Sequence, residues 1–542
     1  MKDEIKDSIK QALEKLEIDF EPTVEMPQNQ EFGDYTTNIA LRLKMNPQEL
    51  VKKIQKPDFI EKIEVKGGFI NFWLSENYLK GLLEATIELN KSQKGEKIMI
   101  EFTDPNPFKE FHIGHLYSNV VGESISRILE SAGAKVKRVN YQGDVGLHVA
   151  KSIWGIKKEM KRNHENLKAW EVKPLEIKIQ FLAKGYALGN KAYEEDENAR
   201  KEIIEINKKI YRKAKVIKEI YEKGKKWSLE YFEKIYKRLG TKFERYYFES
   251  EAGQVGLNLV KEYLKKGIFE KSDGAIIFPG EKYGLHNRVF VNSEGLPTYE
   301  TKELGLAPTK YKDFPYNKSI IVTGNEINEY FKVVLAALSK INPDLASKTV
   351  HVSHGMVRLS GGKISSRLGN IISGESLLDD VKSKIKENFK DMDNDTAEKV
   401  TVAAVKYALL RIGIGKDIEF DINQSISLEG DSGPYLQYTY VRTQSLKDKA
   451  DIKKNENKSL NEEEIMILRT LQKFPEVVEQ VALEFAPNHL TSYLFDLAQR
   501  FNLFYQKHRI AENEFRLKLA SKVGETIKNG LYLLGIEAPS RM

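Results

Sequence analysis

The stretch Ile98-Met99-Ile100-Glu101-Phe102 constrains this chain more than any other. A short, mostly apolar run followed at once by a Pro-containing loop reads as a strand buried on both faces. A helix over 114–132 and a second strand, VKRVNY at 136–141, come next. Strand, loop, helix, strand is the βαβ unit of a doubly wound parallel sheet, whose ligands collect beyond the carboxyl ends of the strands. Residues 151–240 then turn Lys/Glu-rich and helical, and apolar strands resume with AIIFP, RVFVN, SIIVTG and TVHVSHGMV. The helical stretch is therefore expected to be an insertion within one sheet-forming domain.

On either side the texture differs. Ile5, Ile9, Leu13 and Leu16 recur at helical spacing, and FIEKIEVKGGFINFWLS alternates around Gly67-Gly68 as a hairpin or bulged strand pair does. The polar run NKSQKGEK at 90–97 reads as a linker. Beyond about 380 no strand pattern persists, and amphipathic helices run to the end. The expected fold class is α/β: a doubly wound, Rossmann-like domain over 91–380 with a helical insertion at about 151–240. A small α+β module (1–90) precedes it and an all-α region (381–542) follows.

The 542 residues, 41% hydrophobic and 30% charged, suffice for a sizeable core. The net charge of +7 permits nucleic acid as a partner without requiring it. The absence of cysteine excludes disulfides, Cys-ligated zinc, iron–sulfur clusters and thiol nucleophiles. No acidic metal box is visible. The charged, helical N-terminus is unlike a signal peptide, and no apolar run reaches the roughly 18 residues of a membrane span. A cytoplasmic protein with no membrane partner is expected.

Two motifs carry chemistry. Phe111-His112-Ile113-Gly114-His115 opens the helix after the first strand, where backbone N–H groups and the helix dipole meet phosphate. Its imidazoles can donate to phosphate oxygens, and Gly114 lets an adenine ring lie against the backbone; the bland reading is a pair of helix-capping histidines. About 250 residues on, Gly361-Gly362-Lys363-Ile364-Ser365-Ser366-Arg367 follows a strand. Lys363, Arg367 and two hydroxyls suit a polyphosphate whose charge rises during reaction; the bland reading is a basic hairpin.

As an ordered pair these motifs resemble the HIGH and KMSKS signatures of class I aminoacyl-tRNA synthetases. Further segments resemble the arginyl family in particular: EFTDPNPFKEFH at 101–112, FGDY at 32–35 with Asn38, EGDSGPYLQY at 429–438 and the ending GIEAPSRM. The resemblance implies ATP-dependent activation of L-arginine and its transfer to tRNA(Arg), with Mg²⁺ accompanying ATP. It implies tRNA dependence of the first step, an anticodon-binding role for the C-terminal helices, and a tRNA-elbow role for the N-terminal module. A monomer is expected.

By resemblance, catalysis falls to His112, His115, Lys109, Lys363 and Arg367, and ATP also meets Phe111, Gly114, Ser365 and Ser366. The arginine set is Glu101, Asn106, Asp144, Glu249, Tyr299 and Glu303, with Glu249 leading because a guanidinium seeks carboxylates in bidentate reach. Asn38, Tyr35, Tyr493 and Met542 are expected at tRNA. Most of Tyr493, Phe501, Phe504 and Tyr505 must be core, since they sit at helical spacing. Departures from the family pattern are Glu303 for Asp, Ile327 and Tyr330 for a Gln-x-x-His, His148 for Gln, and Ser366 for the second signature lysine. The other readings are a nucleotidylyltransferase, whose chains are far shorter, a cysteinyl-tRNA synthetase, which would need Cys ligands, and a tRNA-binding paralogue without activity.

Overall fold

The computed structural model describes residues 1–27, 29–360, 373–448, 450–452 and 459–542. The motif residues 361–372, with Lys363, Ser365, Ser366 and Arg367, lie outside them. Two compact units form. One comprises 1–88, 439–477 and 493–527, the other 89–438, 478–492 and 528–542.

The second unit is built on five parallel strands: β1 (Lys97–Glu101), β2 (Lys135–Gln142), β3 (Arg245–Phe248), β4 (Lys318–Gly324) and β5 (Thr349–His354). Their order, β5-β4-β1-β2-β3, reverses direction at β1, which is the doubly wound pattern. Ile98, Met99 and Ile100 are buried, as a strand covered on both faces requires. Helix α1 (Ile113–Ser131) is buried along most of its length, and Gly122 admits the Phe102 ring where a Cβ would collide with it.

The insertion between β2 and β3 consists of the helices Leu147–Arg162, Leu167–Glu171, Leu175–Glu195 and Glu197–Tyr211, and of α2 (Lys215–Leu239). After β3 come α3 (Glu249–Lys265) and, past a small sheet, α4 (Tyr299–Asp313). Glycine makes the α3–α4 contact possible, because side chains at Gly256 and Gly305 would be driven into the carbonyls of Thr301 and Ala252.

Three readings need correction. AIIF and RVFV do not rejoin the parallel sheet: Ala275–Phe278 and Arg288–Val291 form an antiparallel sheet with Glu270–Ser272. Its hairpin turns at Asp273-Gly274, both with positive φ, a dipeptide suited to such a turn. Edge strand β3 went unread, although RYYF is aromatic-rich. Past residue 380 there is a strand, Ile418–Phe420, paired in parallel with Val357–Leu359; three residues are too few to show a period.

In the first unit, Ile60–Lys66 and Phe69–Leu74 form the expected bulged hairpin, with Gly67 and Gly68 turning it at positive φ. Tyr35–Thr37 adds a third strand. Arg469 and Gln472, on the helix Glu462–Gln472, meet this module through Asp34 and Tyr35. Among the described residues no helix is long and apolar enough to cross a membrane.

Candidate functional site

The loop between β1 and α1 is held under strain. Thr103, Asp104 and Phe108 have φ of 80°, 45° and 68°, each costing about 1 kcal/mol or more. Side chains over-determine the loop: Ser118 accepts from Thr103 N (2.9 Å), Asp104 from Tyr141 N (2.7 Å) and Ser228 from Phe108 N (2.9 Å). Ser118 also donates to the Val322 carbonyl at the end of β4, which ties α1 to the sheet at its switch point.

His112 is the N-cap of α1. Its Nδ1 accepts from His115 N at 3.4 Å, and His115 Nδ1 accepts from His112 N at 3.2 Å, with the rings stacked 3.4 Å apart. The capping reading and the phosphate reading are thus compatible. Using both Nδ1 atoms as acceptors places the protons on Nε2, so each neutral ring keeps one N–H donor. Burial, helped by Lys109, lowers His112 to about 4, and burial with the neighbouring His112 and Lys109 holds His115 well below the ordinary imidazole range. Phe111 is buried against His115, Phe232 and Tyr236. Gly114 leaves space that a Cβ would take 3.0 Å from the His112 ring. Lys109 lies over the Tyr186 ring at 4.7 Å.

Beyond the strand ends lies a basin of carboxylates. Glu101 closes β1, Gly143 follows β2 and Glu249 follows β3, so the sheet register gathers them. Asn106 and Glu249 both approach Gly143, where any side chain would crowd them. Tyr299 and Glu303 come from α4, one turn apart.

Two of these carboxylates already hold a cation of the chain. Lys310 meets Glu101 Oε2 at 2.7 Å and Lys302 meets Glu249 Oε2 at 2.6 Å, all four side chains being buried. Neither lysine was singled out in the sequence, because composition assigns lysine to solvent. Glu303, among the described residues, makes no hydrogen bond or ion pair. Burial, then the charges of Glu101 and Glu249, push its carboxyl up to about 8, against the pull of Lys310. Burial and Glu101 likewise push Asp104 well above the usual carboxylate range.

Asp144 has a different setting from the one expected of a substrate contact. Its oxygens accept from Tyr221 OH (2.9 Å), Lys225 (2.7 Å), Ser250 N (2.9 Å) and Ser250 Oγ (2.7 Å), so it pins α2 and α3 together. His148 contacts the Gly143 carbonyl at 2.7 Å, and burial lowers it to about 3. Ile327 is half-buried in the turn before the helix Asn328–Ile341, and Tyr330 donates to the Tyr299 carbonyl at 3.0 Å.

The residues expected at tRNA are dispersed. Tyr35 is buried, with its hydroxyl 2.5 Å from both Glu476 and Gln472, and Tyr493 is buried with its hydroxyl on the Thr470 carbonyl. Neither phenol is on the surface, so each reads as packing within the first unit. Phe501 and Phe504 are also core, and Tyr505 is the exposed member of that group. Asn38 is half-buried with an unpartnered Oδ1, and Met542 is half-buried at the chain end.

The family model for tRNA synthetases class I (R), catalytic domain, matches residues 79–422. The DALR anticodon binding domain matches 436–542, and the arginyl tRNA synthetase N terminal domain matches 3–74. The chain is 32% identical to the arginine–tRNA ligase of Treponema denticola, over 94% of this chain and 93% of that one. It is 31% identical to that of Borreliella afzelii, over 95% and 93%. Its fold resembles the arginyl-tRNA synthetase structures of Thermus thermophilus (TM-score 0.81, 23% identity, all of both chains) and Plasmodium falciparum (0.80, 22%, 100% and 99%). The chain belongs to the arginyl-tRNA synthetases of class I.

Proposed function

We infer that the carboxylate basin beyond β1, β2 and β3 is where arginine is bound and activated. The chain is an arginine–tRNA ligase: it activates L-arginine with ATP and esterifies tRNA(Arg). The observation that supports placing arginine in the basin is Glu303, a carboxylate without a partner beside two carboxylates that carry their own lysines. A guanidinium supplies the missing cation, with N–H donors in a fixed fork. Glu249 offers its remaining oxygen, and the Tyr299 ring walls the pocket. Asn106 serves the substrate's backbone end, and Glu101, held by Lys310, is proposed beside it.

The substrate carboxylate attacks the α-phosphorus, the bond to the bridging oxygen breaks, and pyrophosphate leaves. A terminal ribose hydroxyl of tRNA then attacks the carbonyl carbon, and AMP leaves. No side-chain nucleophile is required, so catalysis is positioning and charge stabilisation. His112 and His115 donate from Nε2 to phosphate oxygens, Gly114 faces the adenine, and Lys109 adds positive charge beside the phosphates. Lys363, Ser365, Ser366 and Arg367 are assigned to the nucleotide from sequence alone. Among the described residues no group of three or more His, Asp or Glu side chains could hold a metal ion. Mg²⁺ would accompany ATP as the counter-ion of its phosphates.

Charging of tRNA with labelled arginine tests the assignment. Wild type is expected to charge, and Glu303→Gln to lose at least tenfold in kcat/KM for arginine. Full charging by Glu303→Gln would remove the basin from the reaction.

A further inference from the structure

Arginine is a cation, and its leading carboxylate partner is already occupied by a cation. We propose that Lys302 is a positioning residue for arginine recognition, holding Oε2 of Glu249 so that Oε1 is the acceptor left for the substrate; this rests on the arginine site proposed above. The pair is 2.6 Å long, with its side chains 4% and 7% exposed. Glycine contacts fix α4 against α3, so the backbones of Lys302 and Glu249 cannot drift apart. The Lys302 stem lies against Gly253, where a Cβ would stand 3.3 Å from Cγ, and its ammonium lies 4.7 Å from the Tyr299 ring centre. Glu249 Oε1 lies toward Gly143 and the Asn106 side chain that fills the space beside it, and among the described residues Oε2 is the Glu249 oxygen with a hydrogen-bond partner, which leaves Oε1 as the acceptor for a ligand.

The alternative is that arginine displaces Lys302. That would leave a buried ammonium with no carboxylate, beside the Tyr211 and Tyr299 rings, a large cost in low dielectric. Glu303, on the next residue of α4, has no partner to lose. Charge counting points the same way: Glu249, Glu303 and Lys302 sum to one negative charge when all are ionised, matching one guanidinium. Without Lys302 the two carboxylates would repel, and one would take a proton instead of binding substrate. The groups facing the pair are Tyr141 from β2, Asp144 and His148 from the turn after β2 and the helix behind it, Tyr211 from the insertion, Tyr299 and Glu303 from α4, and Tyr330 from the helix Asn328–Ile341.

Arginine-dependent ATP–pyrophosphate exchange with bound tRNA reads the effect in the full chain. Absence of exchange by wild type would overturn the arginine site itself, and with it this proposal. With wild type active, Lys302→Met is expected to raise the arginine KM by about ten- to a hundredfold while kcat changes less. That KM should also acquire a new pH dependence from the unpaired Glu249, and Lys302→Arg should restore most of the loss. Since Lys302 acts through Glu249, adding Lys302→Met to Glu249→Gln should change KM by less than about threefold, and this pair of variants serves even if the single one fails to fold. An unchanged KM in Lys302→Met, or an undiminished loss on the Glu249→Gln background, would overturn the proposal.

Discussion

Arginine binding is expected to release a proton, and the donor is Glu303. Burial and the neighbouring Glu101 hold its carboxyl at about 8. A bound guanidinium favours the ionised form and returns it toward or below the ordinary value of about 4.3. The sign is fixed by that shift: protonated Glu303 offers no anion, so affinity is lost as pH falls through 8. In proportion to the ionised fraction, affinity drops about 25-fold between pH 8.5 and pH 6.5, or about 2 kcal/mol, and about 0.9 proton leaves per arginine bound at pH 7. The nearby imidazoles do not interfere, since His112 sits at about 4 and His148 at about 3. Calorimetric titration of arginine into the tRNA-bound chain, in two buffers of different ionisation enthalpy, counts the proton directly. Glu303→Gln should abolish both the release and the slope. A dissociation constant flat from pH 6.5 to 8.5, or release surviving in Glu303→Gln, would refute the reasoning.

Other consequences are equally direct. His112→Asn keeps an N-cap acceptor but removes the Nε2–H donor, so kcat should fall by about 10²–10³ with the melting temperature little changed. Gly256→Ala forces a Cβ onto the Thr301 carbonyl, and should cost about 1–3 kcal/mol in thermal unfolding and raise the arginine KM as α4 shifts. Lys406 is buried, donates to the Leu239 and Gly535 carbonyls at 2.6 Å each, and is drawn down by burial to about 7. Lys406→Met leaves both carbonyls unsatisfied, at about 2–4 kcal/mol in denaturation experiments. Because the folded lysine sheds its proton before the unfolded one, wild-type stability should rise between pH 7 and pH 10, and that rise should vanish in Lys406→Met.

How much of this the sequence carried depends on how local each signal is. The strand IMIE, the FHIGH turn and the α1 pattern are contiguous, and the structure has them within a residue or two. The hairpin at Gly67-Gly68 was legible for the same reason. What escaped depends on distant partners. AIIF looks the same in a parallel and an antiparallel sheet, and only its pairing with Arg288–Val291 decides. Lys302 and Lys310 read as solvent lysines until the fold sets each against a buried carboxylate. Asp144 was legible as a special position, yet its four donors come from α2 and α3, 77 to 106 residues away. Tyr35 was expected at tRNA by resemblance, and its burial was not legible because its acceptor, Glu476, lies 441 residues along the chain.

This chain is expected to activate arginine and no other amino acid. ATP–pyrophosphate exchange with each of the twenty amino acids, with and without total tRNA, tests it most directly. The expected result is exchange with arginine alone, appearing on addition of tRNA. Exchange with a different amino acid, or none at all from folded protein that still binds tRNA, would contradict it.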